Sequence, residues 1–302
     1  GIAMSILNFG SLNIDFVYEV DHFVRKGETI SSQGLNVFPG GKGLNQSLAL
    51  ARAGADVRHA GMIGEDGVFL RELLSDNGVD VSQVRVSDTV RSGNALIQKD
   101  AEGDNCIILY GGTNRAIDPA FAAEALASYG KGDWLLLQNE IGSLPDIVHI
   151  ASDKGMHIVL NPSPADDSLF DMDLDTVSCF VLNEGEAEQL CGSHGDAESL
   201  IAGMRQRFPH ADIVLTMGEK GSLMLFGDEL YRQCAYRVRT VDTTAAGDTF
   251  TGYLLAGLMS GLTPDHALDD AAKASAIAVS RNGAAPSIPT MSEVRSFIGS
   301  DE

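Results

Sequence analysis

The chain has 302 residues, 44% of them hydrophobic, with 42 acidic against 21 basic side chains and a formal net charge of −21. That length and apolar content support a large buried core, in one α/β unit or two domains, while the acidic balance argues against nucleic acid or an anionic membrane as partner and leaves any nucleotide to local positive features and a metal. The cysteines Cys106, Cys179, Cys191 and Cys234 show no CxxC or Cys/His spacing, no apolar run nears the ~18 residues that cross a bilayer and no basic, apolar leader is visible, so a soluble cytoplasmic protein with reduced thiols is expected.

Gly1-Ile2-Ala3, ahead of Met4, is set outside the fold. Residues 5 to 9 form a short apolar run ending in Gly10, read as a first buried strand. Asn13 and Asp15 follow, on one face of an extended chain and at the end of a core strand, where open α/β sheets bind ligands. Turn chemistry for a chain leaving the sheet explains the same spacing. From Phe16 to Phe38 short alternating pieces, broken by Gly27 and Gly34, predict a small exposed sheet. Pro39-Gly40-Gly41-Lys42-Gly43-Leu44-Asn45-Gln46 then sets a permissive backbone at the start of an apolar-periodic helix that Gly54 stops. The stretch lacks the GxxxxGK[ST] order of a P-loop, and a plain flexible turn is its alternative reading.

Val57 to Gly64 and a helix through Leu74, ending at Asn77-Gly78, make a further βα unit. Residues 94–99 and 106–110, joined across 100–104, read as a hairpin that partners the small sheet. Gly111 to Asn114 turns the chain back, and 120–128 is helical. From Trp134 strands at 134–138, 158–160, 179–182 and 213–217 alternate with helices, which predicts a mostly parallel sheet covered on both faces. Polar residues gather where those strands end: Asn139 and Glu140, Asn161, Asn183 and Glu186, Thr216 and Gly218. An ordinary acidic first turn of a helix accounts equally for Asn183-Glu184-Gly185-Glu186.

The densest stretch is Val241 to Gly252. Tyr236 to Val241 alternates like a strand and 249–258 has helical spacing, so Ala245 to Asp248 is expected to be a helix N-terminus. Unpartnered N–H groups and the helix dipole make such an end a phosphate site, and Gly247 lets an anion come close. A carboxylate beside that site suits proton abstraction from an attacking hydroxyl, so Asp248 is either a general base for phosphoryl transfer or a simple helix cap. Residues 267–280 form an Ala-rich helix, followed by a turn-rich loop over 281–287.

Together these stretches resemble the ribokinase-like carbohydrate kinases of the phosphofructokinase-B superfamily, from about Ile6 to Pro289. The resemblance is carried by Gly40-Gly41-Lys42-Gly43-Leu44-Asn45-Gln46, Asn161-Pro162-Ser163-Pro164-Ala165, Asn183-x-x-Glu186, Thr216-Met217-Gly218-Glu219-Lys220-Gly221 and Asp242 to Phe250, in family order. It implies an α/β fold, an αβα sandwich around a mostly parallel sheet, with a large domain over 1–11, 40–90 and 114–302 and a β lid over 12–39 and 91–113. It also implies transfer of the ATP γ-phosphate to a terminal sugar hydroxyl, D-ribose first, with deoxyribose, a hexose such as fructose or a nucleoside as other acceptors. A sugar-binding regulator without turnover is the rival of a different class.

By the same resemblance Asp248 is the base, and the Ala245, Ala246 and Gly247 backbone is the anion hole, with Lys42 stabilising charge. Asn13, Asp15, Gly41, Lys42, Asn45 and Glu140 surround the sugar. Asn183, Thr216, Gly218, Gly221 and Gly247 line ATP, and Glu186 holds Mg2+ through water. Asp242, Thr244, Ala278, Arg281, Gly283 and Ser287 fall on a monovalent-cation loop, which implies K+. Three positions depart from the family pattern: Ala272, for which Lys273 is a substitute, Asn94 on the lid and Phe69. The exposed edge of the lid suggests a homodimer in which lids pair.

Overall fold

The computed structural model describes residues 5–299, so Gly1-Ile2-Ala3 and the last three positions of the large-domain assignment lie outside the described residues. β1 (Ile6–Phe9) is buried along its whole length. The chain leaves it at Gly10 and forms β2 (Asn13–Glu19) and β3 (Gly34–Gly40), an antiparallel pair with Asn13 opposite Gly40. Only Gly41, at φ 96°, separates β3 from α1 (Lys42–Arg52). β4 (Val57–Gly64), α2 (Val68–Asp76) and β5 (Asp80–Ser87) follow, before β6 (Gly93–Lys99) and β7 (Asn105–Tyr110) return to β2.

Alternation then sets in with α3 (Pro119–Leu126), β8 (Trp134–Leu137), α4 (Leu144–Asp153), β9 (His157–Leu160), β10 (Cys179–Asn183), α5 (Glu184–Cys191), α6 (Ala197–Arg207) and β11 (Asp212–Thr216). β12 (Ser222–Phe226) and β13 (Glu229–Gln233) add an antiparallel edge hairpin, and α7 (Ala246–Met259), α8 (Pro264–Val279) and α9 (Met291–Arg295) complete the chain.

Nine strands form the large sheet, in the order β13-β12-β11-β10-β9-β8-β1-β4-β5, and four form the small one, in the order β3-β2-β6-β7. Both faces of the large sheet are buried because successive side chains point to opposite sides. Ile6, Leu136, Val159, Val181 and Val214 pack against α1, α7 and α8. Leu7, Phe9, Leu135, Leu137, Phe180 and Ile213 pack on the other side, against α3, α4, α5 and α6. The expected αβα sandwich with a second, smaller β-sheet is therefore the observed fold.

Three local expectations are corrected. Asn13 and Asp15 lie within β2 of the small sheet rather than at the end of a core strand. Residues 236–241 are not a strand: the Val241 and Asp242 N–H groups donate to the Val279 carbonyl at 2.7 and 3.1 Å instead of to a neighbouring strand. β5 and the β12–β13 hairpin are strands that the hydrophobic pattern did not single out.

α1 and α7 cross closely because Gly252 presents no side chain at the contact. A Cβ there would lie 2.4 Å from Ala49 Cβ and 2.8 Å from the Leu50 nitrogen. That approach brings the first turns of the two helices together.

Candidate active site

The paired first turns of α1 and α7 place Asp248 among amide donors. Asp248 is 5% exposed. Its Oδ2 accepts from Asn45 Nδ2 at 3.1 Å and its Oδ1 from Gln46 Nε2 at 3.0 Å. The simple-cap reading does not apply, since no side chain caps α7. Burial pushes the Asp248 carboxyl above its ordinary pKa, the Lys42 ammonium and the two amides oppose the rise, and Glu140 adds to it. For Lys42 burial acts downward, but Asp248, Glu140 and Glu186 outweigh it and the ammonium is held above its usual value. One cation thus sits among three carboxylates.

The backbone beside Asp248 is open. A Cβ built on Gly247 would meet no atom within 4 Å. The Ala246 N–H is taken by the Thr243 carbonyl at 3.2 Å. Among the described residues no acceptor faces the N–H groups of Gly247 or Asp248, so these are the free donors of the helix end, while Ala245 is its N-cap.

At the base of the small sheet, Glu140 Oε1 accepts from Ser11 Oγ at 2.7 Å and from the Lys42 N–H at 3.0 Å, which ties the loop after β8 to the start of α1. Asn13 Oδ1 accepts from Asn114 Nδ2 at 2.6 Å. Burial, with Glu140 second, pushes Asp15 up to about 7. Gly40 makes room for that carboxylate, since a Cβ there would fall 2.2 Å from Asp15 Oδ2. Asn13, Asp15, Gly41, Lys42, Asn45, Glu140 and Asp248 therefore gather where β2, β3, α1 and α7 meet. Asn45 Oδ1 is buried and unpartnered among the described residues. No motif marks Ser11, Asn114 or Gln138; Ser11 and Gln138 are polar positions just past β1 and β8, and Asn114 ends the turn after β7.

A second group lines the ends of β10 and β11, where Asn183 pairs with Thr216. Asn183 and Glu186 form a capping box at the start of α5: the Glu186 N–H donates to Asn183 Oδ1 at 2.8 Å and the Asn183 N–H to Glu186 Oε1 at 3.0 Å. The acidic-first-turn reading of this segment is thus realised, and the carboxylate still faces Lys42 and Asp248; burial, ahead of those neighbours, holds it above its ordinary pKa. Thr216 Oγ1 donates to the Leu182 carbonyl at 3.3 Å. Gly218, at φ 60°, borders open space. Gly221, at φ 92°, is required by packing, because a Cβ would lie 2.0 Å from the Gln233 carbonyl oxygen.

Asp242 stitches the remaining segments. Its Oδ1 accepts from the Thr244 N–H at 2.9 Å and from the Thr244 hydroxyl, and its Oδ2 accepts from the Gly283 N–H at 3.0 Å. Ala278 and Ser287 are buried nearby in the chain, the Ala278 carbonyl accepting from the Arg281 N–H and the Ser287 hydroxyl donating to the Ala284 carbonyl. The Arg281 side chain turns away to pair with Glu293. Ala272 is buried on α8, and Lys273 beside it pairs with Asp269 at 3.1 Å. Asn94 donates to the Ser92 carbonyl at 3.3 Å, and Phe69 is exposed on α2.

Known proteins are similar to this chain over nearly its whole length. Ribokinase from Haemophilus influenzae is 32% identical over 296 residues, covering 96% of either chain. The crystal structure of ribokinase from Cryptococcus neoformans in complex with ADP superposes with a TM-score of 0.86 at 34% identity, over 97% of this chain and 99% of that one. The structure of Arabidopsis thaliana ribokinase complexed with ribose and ATP gives a TM-score of 0.85 at 27% identity, with 98% of each chain covered. The pattern of the pfkB family carbohydrate kinases matches residues 4–291, almost the whole chain. With the family pattern matched over almost its whole length, the chain belongs to the pfkB family of carbohydrate kinases.

Proposed function

We propose that this sugar kinase transfers the γ-phosphate of ATP to the terminal primary hydroxyl of a pentose, D-ribose in the first instance. The observation that carries the reading is Asp248, buried in the first turn of α7, its carboxylate held by Asn45 and Gln46 beside Lys42. A carboxyl raised by burial is a better proton acceptor than a free one and is suited to take the proton of the attacking alcohol. The Gly247 and Asp248 N–H groups and Lys42 stabilise the charge that develops on the transferred phosphoryl group. Asp15, Glu140, Asn13 and the unpartnered Asn45 Oδ1 bind sugar hydroxyls, and such groups reject a sugar that leaves them unpaired.

Asn183, Thr216, Gly218 and Gly221 border the nucleotide. The half-buried Glu186 carboxylate, which faces Lys42 and Asp248, fits Mg2+ through water, and bound magnesium neutralises phosphate charge. Asp242 with the carbonyls of the 278–287 loop offers the oxygen donors that suit K+, undiluted by Arg281. The small sheet acts as a lid over the sugar, and Leu35, Val37, Ile107, Ile108 and Leu109 exposed on it support pairing of lids in a homodimer. Asn94, half-buried on β6 opposite Ile14, favours a second reading in which the acceptor has a different hydroxyl pattern, such as deoxyribose, a hexose or a nucleoside.

The test is Asp248→Asn with an ADP readout. Turnover is expected to fall about a thousandfold while sugar binding, followed by calorimetry, persists; unchanged turnover would overturn the assignment. A panel of pentoses, hexoses and nucleosides, with and without K+, ranks the acceptors.

A further inference from the structure

Under α1, the apolar face of the large sheet is interrupted by a polar seam. Asn8, Gln46, Ser47 and His59 are fully buried and Gln138 is 1% exposed. An unsatisfied polar group in such a layer is costly, whereas an apolar layer of the same shape would be stable. These side chains are joined into one chain of hydrogen bonds, and its direction is fixed.

His59 Nε2 lies 3.0 Å from the Gly10 carbonyl, an acceptor only, so that nitrogen carries the proton. Burial keeps the ring neutral, its pKa pushed down to about 4, so Nδ1 must accept from the Ser47 hydroxyl at 2.7 Å. The Ser47 oxygen then accepts from Asn8 Nδ2 at 2.8 Å, and the second hydrogen of that amide goes to the Gly43 carbonyl at 2.8 Å, which locks the amide independently. Asn8 Oδ1 therefore accepts from Gln138 Nε2 at 3.0 Å, and the same nitrogen donates to Gln46 Oε1 at 2.8 Å. With its oxygen committed, Gln46 can present only N–H to Asp248 Oδ1 at 3.0 Å and to Asn161 Oδ1 at 3.0 Å. Asn161 closes the far end, since its own nitrogen donates to the Val181 carbonyl at 2.9 Å. Gly10 makes the seam possible: a Cβ there would lie 2.5 Å from Gln138 Oε1.

We propose that Gln46 and Gln138 are positioning residues for Asp248, the one-way chain from the Gly10 carbonyl forcing the Gln46 N–H, and never its oxygen, against the base. This rests on the reading of Asp248 as the base. The charged groups facing Asp248 are Lys42 from α1, Glu140 from the loop after β8 and Glu186 from α5. Two of the three are carboxylates, so a donor that cannot turn over favours the ionised form of the buried Asp248 and fixes its plane.

Gln138→Met keeps the volume and removes the donor to Gln46 Oε1, which frees the amide to rotate and set its oxygen against Oδ1. The expected result is a kcat about tenfold lower, the scale of one hydrogen bond to a charged group, an acid limb of kcat/KM moved to higher pH, and an unchanged KM for ATP. Gln46→Met does the same, and the double variant is no slower than Gln46→Met alone, because one residue acts through the other. A wild-type pH profile in folded Gln138→Met, or additive losses in the double variant, overturns the proposal. If Gln138→Met does not fold, Asn8→Leu removes the acceptor that orients the Gln138 amide, and the same upward movement of the acid limb is required of it. Asp248→Asn is assayed alongside: if it turns over normally the base reading fails, and if it is dead while the Gln138→Met profile is wild type only the positioning chain fails.

Discussion

Replacing Asp15 with asparagine should make the protein more stable and a poorer enzyme, and the size of both effects follows from where the carboxylate sits. Burial, with Glu140 second, raises Asp15 from 3.8 to about 7. Between those values the folded state holds a proton that the unfolded chain has released, so stability falls as pH rises from about 4 towards 7 and is flat above. A gap of this size corresponds to roughly 4 kcal/mol at about 1.4 kcal/mol per unit, and partial exposure of the side chain screens it to about 2 kcal/mol. Asp15→Asn removes that penalty: in scanning calorimetry its Tm should exceed that of the parent by about 4 °C at pH 8 and match it near pH 4. In kinetic assays, loss of a charged acceptor should raise KM for the sugar about tenfold and leave kcat nearly intact. A Tm difference independent of pH, or an unchanged sugar KM, would refute the placement of a strained carboxyl in the sugar pocket.

Other outcomes follow from single contacts. Gly252→Ala drives a methyl into Ala49 and the Leu50 backbone, so it should cost about 2 kcal/mol in denaturant unfolding and lower kcat, as α1 and α7 part and Asp248 loses its amides. Asp242→Asn should abolish any difference between rates measured in K+ and in tetramethylammonium, while the parent is faster in K+. Ile108→Asp, on the most exposed part of β7, should shift sedimentation from dimer to monomer without lowering kcat more than a few-fold; an identical sedimentation coefficient for parent and variant removes the lid pairing.

Much of the architecture was legible because burial on both faces leaves short apolar runs such as Leu135 to Leu137 in β8 and Ile158 to Leu160 in β9. β5 escaped for a physical reason: its register against β4 shifts between Arg58 and Ala60, so Val81 and Val84 fall out of the two-residue period. Residues 236–241 had the period but no neighbouring strand to pair with, and periodicity cannot reveal that. The β12–β13 hairpin broke the βα rhythm at a sheet edge. At the site, the glycine-rich turn and the helix end around Asp248 were visible as local patterns. The partners were not, since Gln46 meets Asp248 202 positions away and Gln138 92 positions away. Nor did spacing disclose that Arg281 would leave the Asp242 loop for Glu293.

The passage of β3 into α1 through Gly41 alone has a mechanical consequence. With no slack between them, the small sheet is a lever whose short arm is the first turn of α1, and tilting the sheet swings Lys42, Asn45 and Gln46 together. With the sheet acting as the proposed lid, an acceptor that pulls it down would also shift the geometry around the phosphoryl cleft. The affinities for the two substrates would then be coupled, and by thermodynamic reciprocity each would change the other by the same factor.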